Sequence, residues 1–228
     1  TQSMKGPITA VADIGGLLVL AFGPKVFLYR FPDARDLQGS AFFDAQIYVT
    51  SITVIKTYLI VADAFKSVYF LRWREEVRSL VLLSKDYQSL SAWATGCLIN
   101  RGSMAIVVAD EQRNLSLLSY APQRAESQGG MRLLPSADFH CGARVTSMVR
   151  VKMVPPSEQH KWDKHLLLMS SCMGGMSALA PLDESVFKRL YMLYHRMLTA
   201  VPHTGGLNPK GYRVFAPHAH MRRNPKKN

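Results

Sequence analysis

Acidic residues run out at Glu184: residues 1–184 carry 19 Lys and Arg against all 16 Asp and Glu, whereas residues 185–228 carry nine basic residues and none of the opposite sign. A block of one sign points to an anionic partner, such as nucleic acid or an acidic protein surface, or to a solvated basic tail. Cysteine is scarce too. Cys97, Cys141 and Cys172 are odd in number, far apart and never in a C-x-x-C pair, which argues against a disulfide framework and a zinc cage and favours a reducing compartment. Apolar runs are short, residues 105–109 and 166–169 being examples, so no segment reaches the 18 or so residues that a membrane span requires. The opening TQSMKGPITAV has neither an initiator Met nor a charged region leading into a long apolar core. We therefore expect no secretory signal here, and a boundary inside a longer protein. With 48% hydrophobic residues among 228, the chain has the means to bury one large core or two small ones.

What it has in abundance is one repeated plan: an apolar strand, a short turn of small or polar residues, and a second apolar strand. Four segments show it, LLVLAFGPKVFLYRF from Leu17, YLIVADAFKSVYFLRW from Tyr58, AIVVADEQRNLSLLSYAP from Ala105 and LLLMSSCMGGMSALAPL from Leu166, at spacings of 41, 47 and 61 residues. The second and third share the tripeptide Val-Ala-Asp, ending at Asp63 and Asp110. Each first strand is an almost continuous apolar run, as expected of a strand covered on both faces. The second strand often alternates, as in residues 68–73. Further strand candidates lie between the hairpins at 41–55, 79–87 and 143–153. About four strands per 40 to 45 residues is the pattern of β-propeller blades. We therefore expect a mostly β fold over residues 1–182, a partial propeller of about four blades belonging to a larger one. The longer last interval reflects inserts at 123–130 and 155–164, read as loops on blade edges. Four blades leave an exposed sheet edge, so completion by chain lying N-terminal to this piece is expected.

After Pro181 the period changes. Asp183 is placed to cap a helix whose apolar positions Phe187, Leu190, Tyr191, Tyr194, Met197, Leu198 and Val201 recur at spacings of three and four, with Lys188, Arg189 and Arg196 on the opposite face. Pro202 and Gly205-Gly206 end it, and Asn208-Pro209 offers a cap and first position for a second short helix. Residues 183–228 thus read as a short α-helical segment with a basic tail.

One stretch invites a catalytic reading: LLPSADFHCGARVTSMVR, residues 133–150, sets Asp138, His140 and Cys141 almost side by side. A hydrolytic triad needs its base and acid placed around the nucleophile by the fold, and neighbours on one strand point to opposite faces. Hydrogen bonds from Asp138 and His140 that tie down the beginning of a strand are the better account. His218 and His220 lack a third ligand nearby, so no metal is expected. The glycines of CMGGM (172–176) suit a hairpin turn, since a phosphate loop would need Lys and Ser/Thr after them. Neither a catalytic set nor a cofactor is indicated. RWREEVRSL (72–80) reads as a solvated or mutually paired blade surface, and Phe27, Tyr29, Tyr69 and Trp73 as blade packing. Cationic contacts to RNA or a partner are assigned to Lys188, Arg189, Arg196, Lys210, Arg213, Arg222 and Arg223, with Lys226 and Lys227 behind them.

GPITAV, AFFDAQIYV, YLIVADAFKSVYFLRWREE, DEQRNLSLLSYAP, SQGGMRLLPSADFHCGARVTS and GGMSALAPLDESVFKRLYMLYHRMLTAVPHTGGLNPKGYR together cover nearly the whole chain. In these the sequence resembles the C-terminal part of the large-subunit family of the cleavage and polyadenylation specificity factor. That family is related to the large damaged-DNA-binding subunit and to the propeller subunit of splicing factor 3b. The Val-Ala-Asp hairpin with its following Lys-Ser and the ADFH-x-GA text are shared widely, while Gly206-Leu207-Asn208-Pro209 points to the polyadenylation branch. The resemblance implies a nuclear, non-catalytic scaffold of three propellers and a helical C-terminal domain. This chain would supply late blades of the third propeller and the opening of the helical domain. Such a scaffold holds a WD-repeat subunit and a CCCH zinc-finger subunit that read AAUAAA, and it recruits other 3′-end processing factors. Contact with pre-mRNA would be indirect or through non-specific phosphate contacts, and no membrane contact is implied. The same architecture also serves a ubiquitin-ligase adaptor of the damaged-DNA-binding type. The closing APHAHMRRNPKKN departs from the continuing helical domain of the family.

Overall fold

The computed structural model describes residues 6–33, 36–100, 102–153, 164–203 and 205. Fifteen strands and one long helix occur among them. The strands form four antiparallel sheets, each laid out in chain order. The first holds β1 (Ile8–Ile14), β2 (Leu17–Phe22), β3 (Lys25–Asp33) and β4 (Asp36–Asp44); the second holds β5 (Val49–Ile55), β6 (Tyr58–Asp63), β7 (Ser67–Arg74) and β8 (Ser79–Lys85). The third holds β9 (Ala92–Asn100), β10 (Ser103–Asp110), β11 (Asn114–Ser119) and β12 (Leu134–His140), and the fourth β13 (Val145–Lys152), β14 (His165–Ser171) and β15 (Met176–Leu179). The first strands of successive sheets lie against one another, β1 on β5, β5 on β9 and β9 on β13. This is an arc of propeller blades, mostly β, followed by the helix α1 (Glu184–Ala200).

Alternation explains where the core sits. On β6, Leu59 and Val61 face the first sheet while Ile60 and Ala62 face the third. On β10, Ile106 and Val108 face the second sheet while Val107 and Ala109 face the fourth. The middle strands are covered on both faces, so a continuous apolar run is what two neighbours demand. Among the described residues there are three apolar clusters, one in each gap between consecutive sheets. The expected alternation of the second strand holds only at its end: Val68 to Leu71 of β7 are all buried, and exposure begins at Arg72.

The four hairpins expected from sequence are β2–β3, β6–β7, β10–β11 and β14–β15, and 172–175 forms the turn between the last two, with Gly174 at φ +78°. The candidate strand at 41–55 is corrected. It divides into β4 and β5, which belong to different sheets, because the N–H of buried Ala45 donates to Pro24 O at 2.7 Å and Asp63 accepts the N–H groups of Ile47 and Tyr48, which turns the chain between them. Strands β1 and β9 carried no such signal. Lying innermost, β9 uses Ala92, Ala94 and Gly96 so that sheets can approach closely.

Of the described glycines, Gly96 has the closest neighbours. A Cβ there would stand 2.9 Å from both methyl carbons of Leu167 and 3.1 Å from Met148 Sδ. Gly96→Val is expected to destabilise the fold by about 1–3 kcal/mol through overpacking. Urea denaturation checks this, and Leu167→Ala in the same chain should return part of the loss. Polar stitches help on the other side of β9: Thr50 Oγ1 donates to Ala92 O at 2.7 Å and Thr53 Oγ1 to Thr95 O at 2.9 Å.

Candidate docking surface

The stretch that looked catalytic is a structural clamp. Asp110, buried at the end of β10, accepts from the backbone N–H and the Nδ2 of Asn114, both at 2.7 Å. Asn114 Oδ1 in turn lies 2.9 Å from Nδ1 of His140. His140 therefore pins the end of β12, not the beginning of a strand as expected, while Asp138 is exposed. Cys141 follows the strand, its N–H bonded to Arg113 O at 2.7 Å and its side chain packed on the third apolar cluster. No group of three His, Cys, Asp or Glu side chains placed to hold a metal ion occurs among the described residues.

A side chain at the end of the hairpin's first strand also holds backbone N–H groups in the second and fourth sheets. Asp63 Oδ2 accepts from the N–H groups of Ile47 and Tyr48 at 2.9 and 3.3 Å, and Oδ1 from those of Phe65 and Lys66 at 3.0 and 3.2 Å. Ser171 occupies that position in the fourth sheet, its Oγ accepting from Gly175 N–H at 3.1 Å. Beside Asp63, burial and its negative charge push the Tyr69 phenol up. Ser67, at φ +61°, donates its hydroxyl to Asp86 at 2.7 Å. Burial raises the Asp86 carboxyl, against hydrogen bonds from Ser67 and the backbone.

The cysteines differ in access. Cys97 is buried, with Arg150 Nη1 donating to its Sγ at 3.1 Å, whereas Cys141 is half-buried and Cys172 exposed. Burial pushes the Cys97 thiol up more than Arg150 pulls it down. Maleimide labelling followed by peptide mass spectrometry should modify Cys172 first and Cys97 last, with Cys97 gaining reactivity only as pH rises past the ordinary thiol range.

The outer faces of the first and fourth sheets carry apolar rows. Across the first sheet, paired residues Val11, Leu20, Phe27 and Phe42 form one row on the face turned away from the second sheet. There Phe27 stacks on Phe22 at 4.7 Å and Phe42 is 63% exposed. At the other end of the arc, Val149, Leu168 and Ala178 form a matching row, with Val149 58% exposed. Tyr69 and Trp73 belong to the first core cluster. Between the first and second sheets a cleft of about 470 Å³ is rimmed by Arg30, Lys56 and Arg78 with Glu75. Lys56 and Arg78 sit at φ +55° and +48°; their place in tight turns holds them at that rim, and spacing alone gave no hint of it. Arg72 is exposed, its guanidinium 5.9 Å from the Tyr58 ring centre.

Helix α1 presents its predicted stripe to solvent. Phe187 stacks on Tyr191 at 5.7 Å, and Phe187, Leu190, Tyr191, Tyr194, Met197 and Val201 are all about half exposed. Asp183 stands at the N-cap position, yet its side chain makes no cap bond; it pairs with Lys164 Nζ at 2.8 Å, which ties the helix to β14. Of the predicted cationic residues, Lys188, Arg189 and Arg196 are exposed on α1, and Lys188 is paired with Glu184 at 2.6 Å. Lys210, Arg213, Arg222, Arg223, Lys226 and Lys227, like His218, His220 and the Asn208-Pro209 cap, lie outside the described residues.

Residues 1–227 match the model of the family described as the CPSF A subunit region. The chain is 41% identical over 224 residues, 98% of its length, to cleavage and polyadenylation specificity factor subunit 1 of Arabidopsis thaliana. It is 34% identical over 219 residues, 94% of its length, to the subunit of the same name in Drosophila melanogaster. It spans 15% of the length of both curated relatives.

Proposed function

Because the chain belongs to the CPSF A subunit family, we propose that it is part of a non-catalytic scaffold for nuclear pre-mRNA 3′-end cleavage and polyadenylation. The observation that carries this reading is family identity along nearly the whole chain. In this reading residues 1–182 are late blades of a propeller completed by further blades at the exposed apolar rows of the first and fourth sheets. Residues 183–228 begin a helical domain. The scaffold holds a WD-repeat subunit and a CCCH zinc-finger subunit that recognise AAUAAA. The half-exposed aromatic stripe of α1 is the kind of surface that is covered in an assembly.

A pull-down from nuclear extract with the full-length parent tests this. Recovery of the WD-repeat and zinc-finger subunits is expected; recovery of a cullin in their place would turn the reading to a ubiquitin-ligase adaptor. The chemistry offered by Cys141 is tested by Cys141→Ala, which should leave assembly and cleavage unchanged.

Contact with RNA is assigned to Lys188, Arg189 and Arg196 and to Lys210, Arg213, Arg222, Arg223, Lys226 and Lys227. If about four of these meet phosphates, log affinity for single-stranded RNA falls with log salt at a slope of roughly −3. A flat response overturns that part. No sequence preference is expected from these contacts, since phosphate contacts position and base contacts specify.

A further inference from the structure

The fourth sheet is one strand short. In the other three, an outermost strand (β4, β8 or β12) flanks the third, but among the described residues no strand pairs with the outer edge of β15. A bare edge is a template for another strand. Beside it a groove of about 290 Å³ separates the third and fourth sheets, lined by Leu115, Phe139, Cys141, Met169, Ser177 and Leu179.

The two other gaps show what fills such a groove. Leu80 of β8 packs on the first apolar cluster, and Leu133, just before β12, sits in the second. Each comes from the outermost part of the later sheet. In the first gap Phe43 of β4 meets Tyr69 edge-on at 5.5 Å, whereas in the third gap Phe139 of β12 is 45% exposed. The residues directly after β15 do not supply the missing strand, because 180–183 lead straight into α1, with Asp183 held by Lys164 beside β14.

We propose that an extended segment of the same longer polypeptide, from outside these 228 residues, pairs with β15 and seats an apolar side chain against Phe139 and Leu179. The inference rests on reading the sheets as blades of a ring. Two observations favour a tethered strand over a separate subunit. The edge is only four residues long, so main-chain pairing alone gives a free peptide little hold, while a tethered one arrives at millimolar effective concentration. The chain spans 15% of its relatives, which leaves ample polypeptide to donate. A strand brought from elsewhere in the ring would also latch it closed.

The full-length parent, purified alone, provides the test. Those amides of β15 that point away from β14 should exchange at least about tenfold more slowly than those of the 172–175 turn. Under hydroxyl-radical footprinting, Phe139 should be oxidised like buried Phe70, not like Phe65, which is 58% exposed. Photo-methionine at position 176 should cross-link to a segment of the same molecule beyond the 228 residues. Open β15 amides overturn the proposal. So does a cross-link to residues 206–228 or, in an isotopically mixed sample, to a second molecule. Phe42 and Val149 report separately on the ring: if both stay oxidised while β15 is protected, the ring fails and the added strand stands. If both are protected while β15 stays open, the strand alone fails.

Discussion

Asp63→Ala is expected to cost about 3–5 kcal/mol, because it strips a fully buried carboxylate from four backbone N–H groups at once. Two of those donors, on Ile47 and Tyr48, belong to the link between the first and second sheets, and two, on Phe65 and Lys66, to the turn after β6. One side chain therefore fixes both the hairpin and the approach of its neighbour. Asp63→Asn keeps one acceptor oxygen and should lose less. Urea denaturation gives both values, and a change below 1 kcal/mol for the alanine variant would show that water replaces the carboxylate.

Phe70→Ala should be of similar size, about 3–5 kcal/mol. Its ring is 2% exposed and sits between Tyr58 and Tyr120, each with centroids 5.4 Å away, so it joins the second and third sheets. Phe70→Leu keeps much of the volume and should cost roughly half as much, the difference reporting the cavity left by alanine. Thermal denaturation followed by near-ultraviolet circular dichroism would read the loss in the tyrosine signal.

The hairpins were legible because each is written in both of its strands, and the spacing of the repeat survives in the backbone. Tyr48, Ser91 and Arg144 accept the N–H of Ala64, Glu111 and Cys172 respectively. The three donors lie 47 and 61 residues apart, the intervals read between hairpins. The innermost strands were not legible. Ala92, Ala94 and Gly96 are small because the neighbouring sheet is close, and small residues carry little hydrophobic signal. The break within 41–55 was hidden for another reason: Asp44 and Gln46 interrupt the stretch without a Gly or Pro to mark a turn, and the turn is imposed by Pro24 and Asp63, both distant in sequence. Asp183 was correctly placed at the helix start, but only the fold shows that Lys164 takes its carboxylate. Likewise, the proximity of His140 to Cys141 suggested chemistry that the partner of His140, Asn114, redirects to structure.

The location of the core has a further consequence. Since each apolar cluster of the described residues belongs to a gap between two sheets, the energetics resemble a row of coupled links more than one indivisible body. A lesion at Phe70 weakens one link and leaves Val107 with Leu167, or Val19 with Leu59, in place. Damage in such a row stays near its origin, and the sheets at the two ends, each with a single coupled neighbour, are the first to fray when no further sheet covers them.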